Sequence, residues 1–259
     1  MIKITFLGTG TSQGVPVIAC PCPVCHSDDP HDKRLRSSLL IETKTANVVI
    51  DSGPDFRQQM LRENVLHLDA IVFTHEHKDH IAGMDDIRAY NFIQKKSMDI
   101  FAERRVQHAL KREFAYVFAE YKYPGIPQVN LHTIENNKDF HINGLTFTPI
   151  RAYHYRLPIF GFRFGDVTYI TDAKYIPSAE LEKMRGTRIL ILNALRKKRH
   201  LTHFTLEEAL DIVSMIKPET AYFTHISHQM GFHREVQAEL PENVFPAYDG
   251  LSLIIRENN

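Results

Sequence analysis

The sequence predicts an α/β (α+β) fold in which sheets are covered by helices. Three observations lead there. Apolar runs of strand length, bounded by Gly, Pro and Asp, recur along all 259 residues. Hairpin-like pairs dominate the first and middle parts, while strand–helix–strand passages follow, a mixture that favours sheets packed against helices over an all-α or all-β chain. Apolar residues make up 43% and charged residues 24%, the balance of a globular chain with a sizeable core.

The elements follow in order. Segments 2–7, 38–42 and 48–50 read as strands, closed by the turn Ser52-Gly53-Pro54. Segment 56–64 has helical character, and 70–73 is a short buried strand. Segments 84–93 and 105–121 read as helices; the second sets Val106, Leu110, Phe114, Val117 and Phe118 at helical spacing. KYPGIPQ, 122–128, reads as the loop that ends it. Segments 140–142 and 145–150 flank Asn143-Gly144, a type I′ hairpin signal. Segments 160–164 and 167–170 pair around Gly165-Asp166, and 189–192 is a buried strand. A capping box, Thr205 with Glu208, opens a helix over 206–216 that closes before Pro218. Segments 221–223 and 251–255 complete the strands. With no internal repeat and no linker, residues 1–259 read as a single domain.

Charge and targeting narrow the function. Lys+Arg and Asp+Glu are both 31, so the global basic footprint of a nucleic-acid binder is missing. MIKITFLG reads as a strand and lacks the apolar centre of a signal peptide. No apolar run approaches the roughly 20 residues that span a bilayer. The expectation is a cytoplasmic protein with no membrane partner. All three cysteines, Cys20, Cys22 and Cys25, fall within six positions. An odd cluster cannot form a complete disulfide framework, and metal binding is the stronger reading.

The chemistry centres on Thr74-His75-Glu76-His77-Lys78-Asp79-His80, which follows the strand LDAIVF. His75 and His77 are two apart, so an extended backbone points both side chains the same way. Asp79 and His80 then come off the turn into the next element. Three imidazoles and a carboxylate in six residues suit zinc, and also iron or manganese. Three distant residues stand beyond strands: His154 after LTFTPIRAY, Asp172 after VTYIT and His225 after AYFT. Singly, each is an ordinary cap or surface residue. Together they lie where open α/β sheets place their sites.

The series His75, His77, Asp79, His80, His154, Asp172, His225 resembles the ligand series of the metallo-β-lactamase superfamily, in the same chain order and over nearly the whole chain. Asp51 in VVIDSG looks like the superfamily's early supporting Asp. The resemblance implies a four-layer αββα sandwich with two divalent metal ions, zinc or manganese, at one edge of its sheets. His75, His77 and His154 would hold the first ion, Asp79, His80 and His225 the second, and Asp172 would bridge. A hydroxide between the ions would be the nucleophile.

FLGTGTSQGVP running into CPCPVC closely resembles PhnP-type phosphoribosyl cyclic phosphodiesterases. There, three Cys and a late His form a separate structural zinc site. The matching His is His228, which with Cys20, Cys22 and Cys25 completes a closed tetrahedral set; His26 and His31 compete as the fourth ligand. His203 resembles the non-ligand active-site His of such phosphodiesterases, with His200 as the alternative. Beside Asp79, His203 is the second catalytic candidate, placed to stabilise a phosphate oxygen or protonate a leaving oxygen. The basic run Arg196-Lys197-Lys198-Arg199 would draw in a phosphate-bearing substrate. Arg151, Tyr153, Tyr155 and Arg156 flank His154 and either shape the pocket or lie on the surface.

The expected partner is a small phosphodiester, such as a cyclic ribose phosphate. A homodimer is reasonable on the resemblance. A tRNase Z-like nuclease shares the metal chemistry, but the basic tRNA-binding arm of that family is not evident. Another ester or thioester hydrolase and a non-catalytic zinc protein rank below it.

Overall fold

The computed structural model describes residues 1–121 and 123–256. Its strands are β1 (Ile2–Gly8), β2 (Ser38–Glu42), β3 (Asn47–Ile50), β4 (Ala70–Val72), β5 (Met98–Ala102), β6 (Val129–Thr133), β7 (Phe140–Ile142), β8 (Leu145–His154), β9 (Leu157–Phe164), β10 (Val167–Ile170), β11 (Ile189–Asn193), β12 (Thr220–Thr224), β13 (Val244–Pro246) and β14 (Ser252–Ile255). They form two seven-stranded sheets, ordered β14-β1-β2-β3-β4-β5-β6 and β13-β12-β11-β10-β9-β8-β7. Each sheet is antiparallel up to β3 or β10 and parallel beyond.

Helices cover the outer faces, giving the four-layer αββα sandwich that the sequence resemblance implies. They are α1 (Phe56–Arg62), α2 (Lys78–Ile81), α3 (Arg88–Gln94), α4 (Arg104–Glu113) and α5 (Ala115–Phe118) on the first sheet's side, then α6 (Ser178–Lys183), α7 (Leu206–Ile216) and α8 (His233–Glu239). Alternation sorts the strand residues. Ile2, Ile4 and Phe6, with Leu39, Ile41, Val48 and Ile50, pack between the sheets against Phe147, Phe160, Phe162 and Phe164. Leu7, Leu40, Val49 and Ile71 face α1, α3 and α4. Strands buried on both faces read as unbroken apolar runs, which is why VVI and ILIL were legible. Phe140 stacks on Phe147 at 5.1 Å and on Phe101 at 5.3 Å, tying the two sheets at one edge.

The 105–121 segment differs from its expectation. The helix stops at Glu113, Phe114 leaves helical geometry (φ −118°, ψ 46°), and a separate turn, α5, follows. The break lets Phe114 and Val117 both enter the apolar layer over the first sheet. Residues 123–128 form no helix or strand; Lys122 of that loop lies outside the described residues. The segments β5, β6, β13, α6 and α8 were not anticipated. β6 is mostly exposed and is held by pairing to β5, while α6 and α8 bury only Glu180 and Val236. Among the described residues no helix is long and apolar enough to cross a membrane.

Candidate metal centre and active site

The motif residues leave the end of β4 and enter α2, with His77 as its N-terminal cap residue. Two glycines let this segment sit against the turn after β3. A Cβ on Gly83 would lie 2.1 Å from the Gly53 carbonyl oxygen, and one on Gly53 2.0 Å from that of Asp79. The other donors come from strand ends. His154 is the last residue of β8, while Asp172 and His225 follow β10 and β12. Asp51, Asp172 and His225 all adopt left-handed backbone, at φ 63°, 61° and 55°, a strain that clusters at functional sites. His203 lies in the loop before α7. The capping box fixes that loop, with Thr205 N–H on Glu208 at 2.8 Å and Glu208 N–H on the Thr205 hydroxyl at 3.2 Å. The Phe204 N–H donates to the Ala173 carbonyl at 2.9 Å, which seats His203 over Asp172.

All eight residues converge. Asp172 is central: one carboxylate oxygen is 3.2 Å from His80 Nε2, and the other is 3.1 Å from both His203 Nε2 and His225 Nε2. Asp79 is also 3.2 Å from His80 Nε2. Donor atoms of Asp79, His80, Asp172 and His225 lie within 4.8 Å of one another, and so do those of His154, Asp172 and His203. Around the other end, the ring of His75 is 4.6 Å from His77 and 6.0 Å from His154, and His77 is 5.1 Å from His154.

The outward nitrogens show which atoms are left for a ligand. His154 Nδ1–H donates to the Thr202 carbonyl at 2.9 Å, and His80 Nδ1–H to Asp51 at 2.7 Å. Thr74 Oγ1 gives its proton to Asp51, so it accepts from His75 Nδ1–H at 3.0 Å. Ser37 gives its proton to the Gly10 carbonyl and accepts from His225 Nδ1–H at 3.3 Å. Each bond fixes a tautomer whose Nε2 lone pair points inward, the support that metal-bound histidines require. His80 Nε2 is buried and faces the Asp79 and Asp172 carboxylates at 3.2 Å each, with no aligned hydrogen bond among the described residues. His75 Nε2 and His77 Nδ1 face one another at 3.1 Å.

The electrostatics agree with a cation site. Burial opposes a charged His80, yet Asp79, Asp172 and Asp51 hold its pKa well above the ordinary value. Burial would raise Asp79 and Asp172, but their histidine neighbours hold both well below the carboxylate range. Burial keeps His75 and His154 neutral and pushes His225 down to about 3. Two buried carboxylates, Asp79 and Asp172, facing buried imidazoles make a donor set that fits a divalent cation.

The cysteines form a second cluster. His228 Nδ1 lies 3.3, 3.2 and 3.5 Å from the sulfurs of Cys20, Cys22 and Cys25. Neither competitor joins it: His26 is exposed, and the His31 ring lies 4.2 Å from that of Tyr248, tilted by 57°. Burial works to raise the Cys22 thiol, but the Cys25 N–H, His228 and the other thiols bring it down to about 6. Burial pushes Cys25 up to about 11, against the Val17 N–H and with the two neighbouring sulfurs adding to the rise. A divalent ion held here would favour the thiolate form of the cysteines, since a metal-binding thiol must be deprotonated.

The other candidates divide. Arg151 pairs with Glu103 and lies 3.8 Å over the Phe160 ring, so it is structural. Tyr155 and Arg156 are exposed. In the basic run, Arg196 bonds Gln229 and Lys197 pairs with Glu239, while Lys198 and Arg199 are exposed. His200 Nδ1 is 3.2 Å from His203 Nδ1, on the side away from Asp172. The supporting roles of Ser37, Thr74, Thr202 and Thr11, whose hydroxyl lies 3.2 Å from His225 Nε2, escaped the sequence reading, since an isolated hydroxyl or carbonyl carries no pattern.

Fold and donor set together define a metal-dependent hydrolase. Residues 46–226 match the model of the beta-lactamase superfamily domain. A solved structure of a new diphosphatase from the PhnP family is 42% identical, covers 97% of this chain and 96% of its own, and superposes with a TM-score of 0.91. The chain belongs to the PhnP family of the metallo-β-lactamase superfamily. The octanoyltransferase of Porphyromonas gingivalis is 40% identical over 99% of this chain, which spans about half (52%) of that protein's length. Zn(2+)-bound PqqB from Methylobacterium extorquens, 18% identical with a TM-score of 0.80 over 98% of this chain and 100% of its own, shares the fold.

Proposed function

We propose that the protein hydrolyses a small phosphodiester or diphosphate, with two divalent ions, zinc or manganese, side by side in the centre. His75, His77 and His154 would hold one ion, Asp79, His80 and His225 the other, and Asp172 would face both. When bound, such ions lower the pKa of water and neutralise phosphate oxygens. Cys20, Cys22, Cys25 and His228 would hold a separate structural zinc.

The observation that carries this reading is Asp172, whose two oxygens face His80 on one side and His203 with His225 on the other. It is 2% exposed and tied by the Thr171 hydroxyl at 2.6 Å, so it holds its direction. His203 points Nε2 at the same carboxylate from outside the two ligand sets. Protonated, it would stabilise a phosphate oxygen or supply the leaving oxygen's proton, while Thr202 and His200 hold its other nitrogen. Lys198 and Arg199, in the same loop, favour an anionic substrate. The diphosphatase relative supports the phosphate class; a cyclic ribose phosphate is the first substrate to try.

The test is hydrolysis of bis(p-nitrophenyl) phosphate and an alkyl diphosphate by zinc- or manganese-loaded protein, beside His80→Ala, with an octanoyl thioester as the competing substrate. Turnover of a phosphate ester or anhydride that vanishes in the variant is expected. Thioester turnover alone, or none at full metal occupancy, would overturn the reading.

A further inference from the structure

The three histidines of the proposed first ion come from different sheets, His75 and His77 from the loop after β4 and His154 from the end of β8. Single hydrogen bonds steady the rings one by one, Thr74 on His75 and Thr202 on His154 in this set, and Asp51, Ser37 and Thr171 in the second. Between the two sources of the first set runs a chain of charges. Glu76, between His75 and His77, pairs with Arg105 in the first turn of α4. Arg105 also donates to the Pro158 carbonyl on β9, and its Nη2 is 3.6 Å from Glu103. Glu103 takes both terminal nitrogens of Arg151, at 2.7 and 3.2 Å. Arg151 lies on β8, three residues before His154, with its guanidinium over Phe160. The Phe160 N–H in turn donates to the Thr74 carbonyl at 3.1 Å, closing the loop onto the residue before His75.

We propose that Glu76–Arg105–Glu103–Arg151 is a positioning chain that holds the His75–His77 loop against the hairpin carrying His154, and so sets the affinity of one ion of the pair. The inference rests on the two-ion reading. The Arg151 side chain is 12% exposed and those of the other three 21–31%, so water screens these pairs less than surface ones. Glu76 Oε2 and Arg105 Nε are buried without hydrogen bonds. Removing Arg105 therefore leaves the Glu76 carboxylate with no other partner among the described residues, beside two proposed ligands.

The experiment is cobalt titration against a competing chelator for wild type, Arg105→Met, Arg105→Lys and Glu103→Gln, followed by visible absorption. Thiolate charge-transfer bands mark the cysteine cluster separately. Arg105→Met should weaken one active-site ion roughly 10- to 100-fold and leave the other unchanged, the scale for partners that orient metal-bound histidines. Arg105→Lys should restore part of the loss, and Glu103→Gln, which keeps shape and polarity, should show a smaller loss at the same ion. Equal weakening of both ions, or no change in a folded variant, would overturn the positioning role. Wild-type protein taking only one cobalt outside the cysteine cluster would instead overturn the two-ion reading.

Discussion

The two halves of the molecule contribute to its sites in different ways. The first half supplies contiguous runs, His75 to His80 from the loop after β4 into α2 and Cys20 to Cys25 in a loop. The second half supplies scattered residues: His154, Asp172 and His225 at strand ends, His203 in the loop before α7, and His228 shortly after β12. Each run from the first half meets its completing residues only after the sheets stack. Contiguous donors are close whatever the fold, since chain connectivity keeps them so. The single residues depend on strand register and on the left-handed turns that aim Asp172 and His225 inward.

That contrast can be broken at its most central residue. Asp172→Ala should lower kcat by more than the roughly 100-fold typical of lost supporting groups, and should release metal, although Asp172 lies far from the motif in sequence. Metal analysis beside a turnover assay checks it; retained metal with normal rate would mean the motif suffices. His203→Ala should cost about 10²–10⁴ in kcat while leaving metal content intact; loss of an ion would instead make it a ligand.

The cysteine cluster sharpens the same comparison. Cys22→Ser and His228→Ala should each remove about one zinc per chain and lower Tm, by about 2–4 °C for each kcal/mol lost. If His228→Ala kept its zinc, the run would not need its distant partner.

The smallest effect concerns a third contact between the halves. His233, half-buried, lies 3.3 Å from the buried Arg34 guanidinium and 4.8 Å, ring to ring, from His31. Burial, then Arg34, push its pKa from 6.5 down to about 4. A base depressed in the fold contributes stability above its unfolded pKa, and that stability is lost as pH falls towards 4. Urea unfolding at pH 7 and pH 5 should show a smaller acid loss in His233→Gln than in wild type. The difference should be on the order of 1 kcal/mol, reduced by solvent screening at a half-exposed site; equal losses would remove His233 from the acid response.

Sequence alone determined the buried strands, the capped helix α7 and the donor runs. Those follow from periodicity, capping chemistry and residue type, which are local properties. Tertiary structure decided the rest. The break at Phe114 depends on which side chains reach the apolar layer, and β6 exists because β5 lies beside it. His228, and not His26 or His31, meets the cysteines because the loop after β12 folds over theirs. The chain from Glu76 to Arg151 links charges up to 75 positions apart, and no spacing encodes it. Long-range contacts of this kind are set by how the sheets stack, and sheet stacking is written in the whole apolar pattern, not in the residues that it brings together.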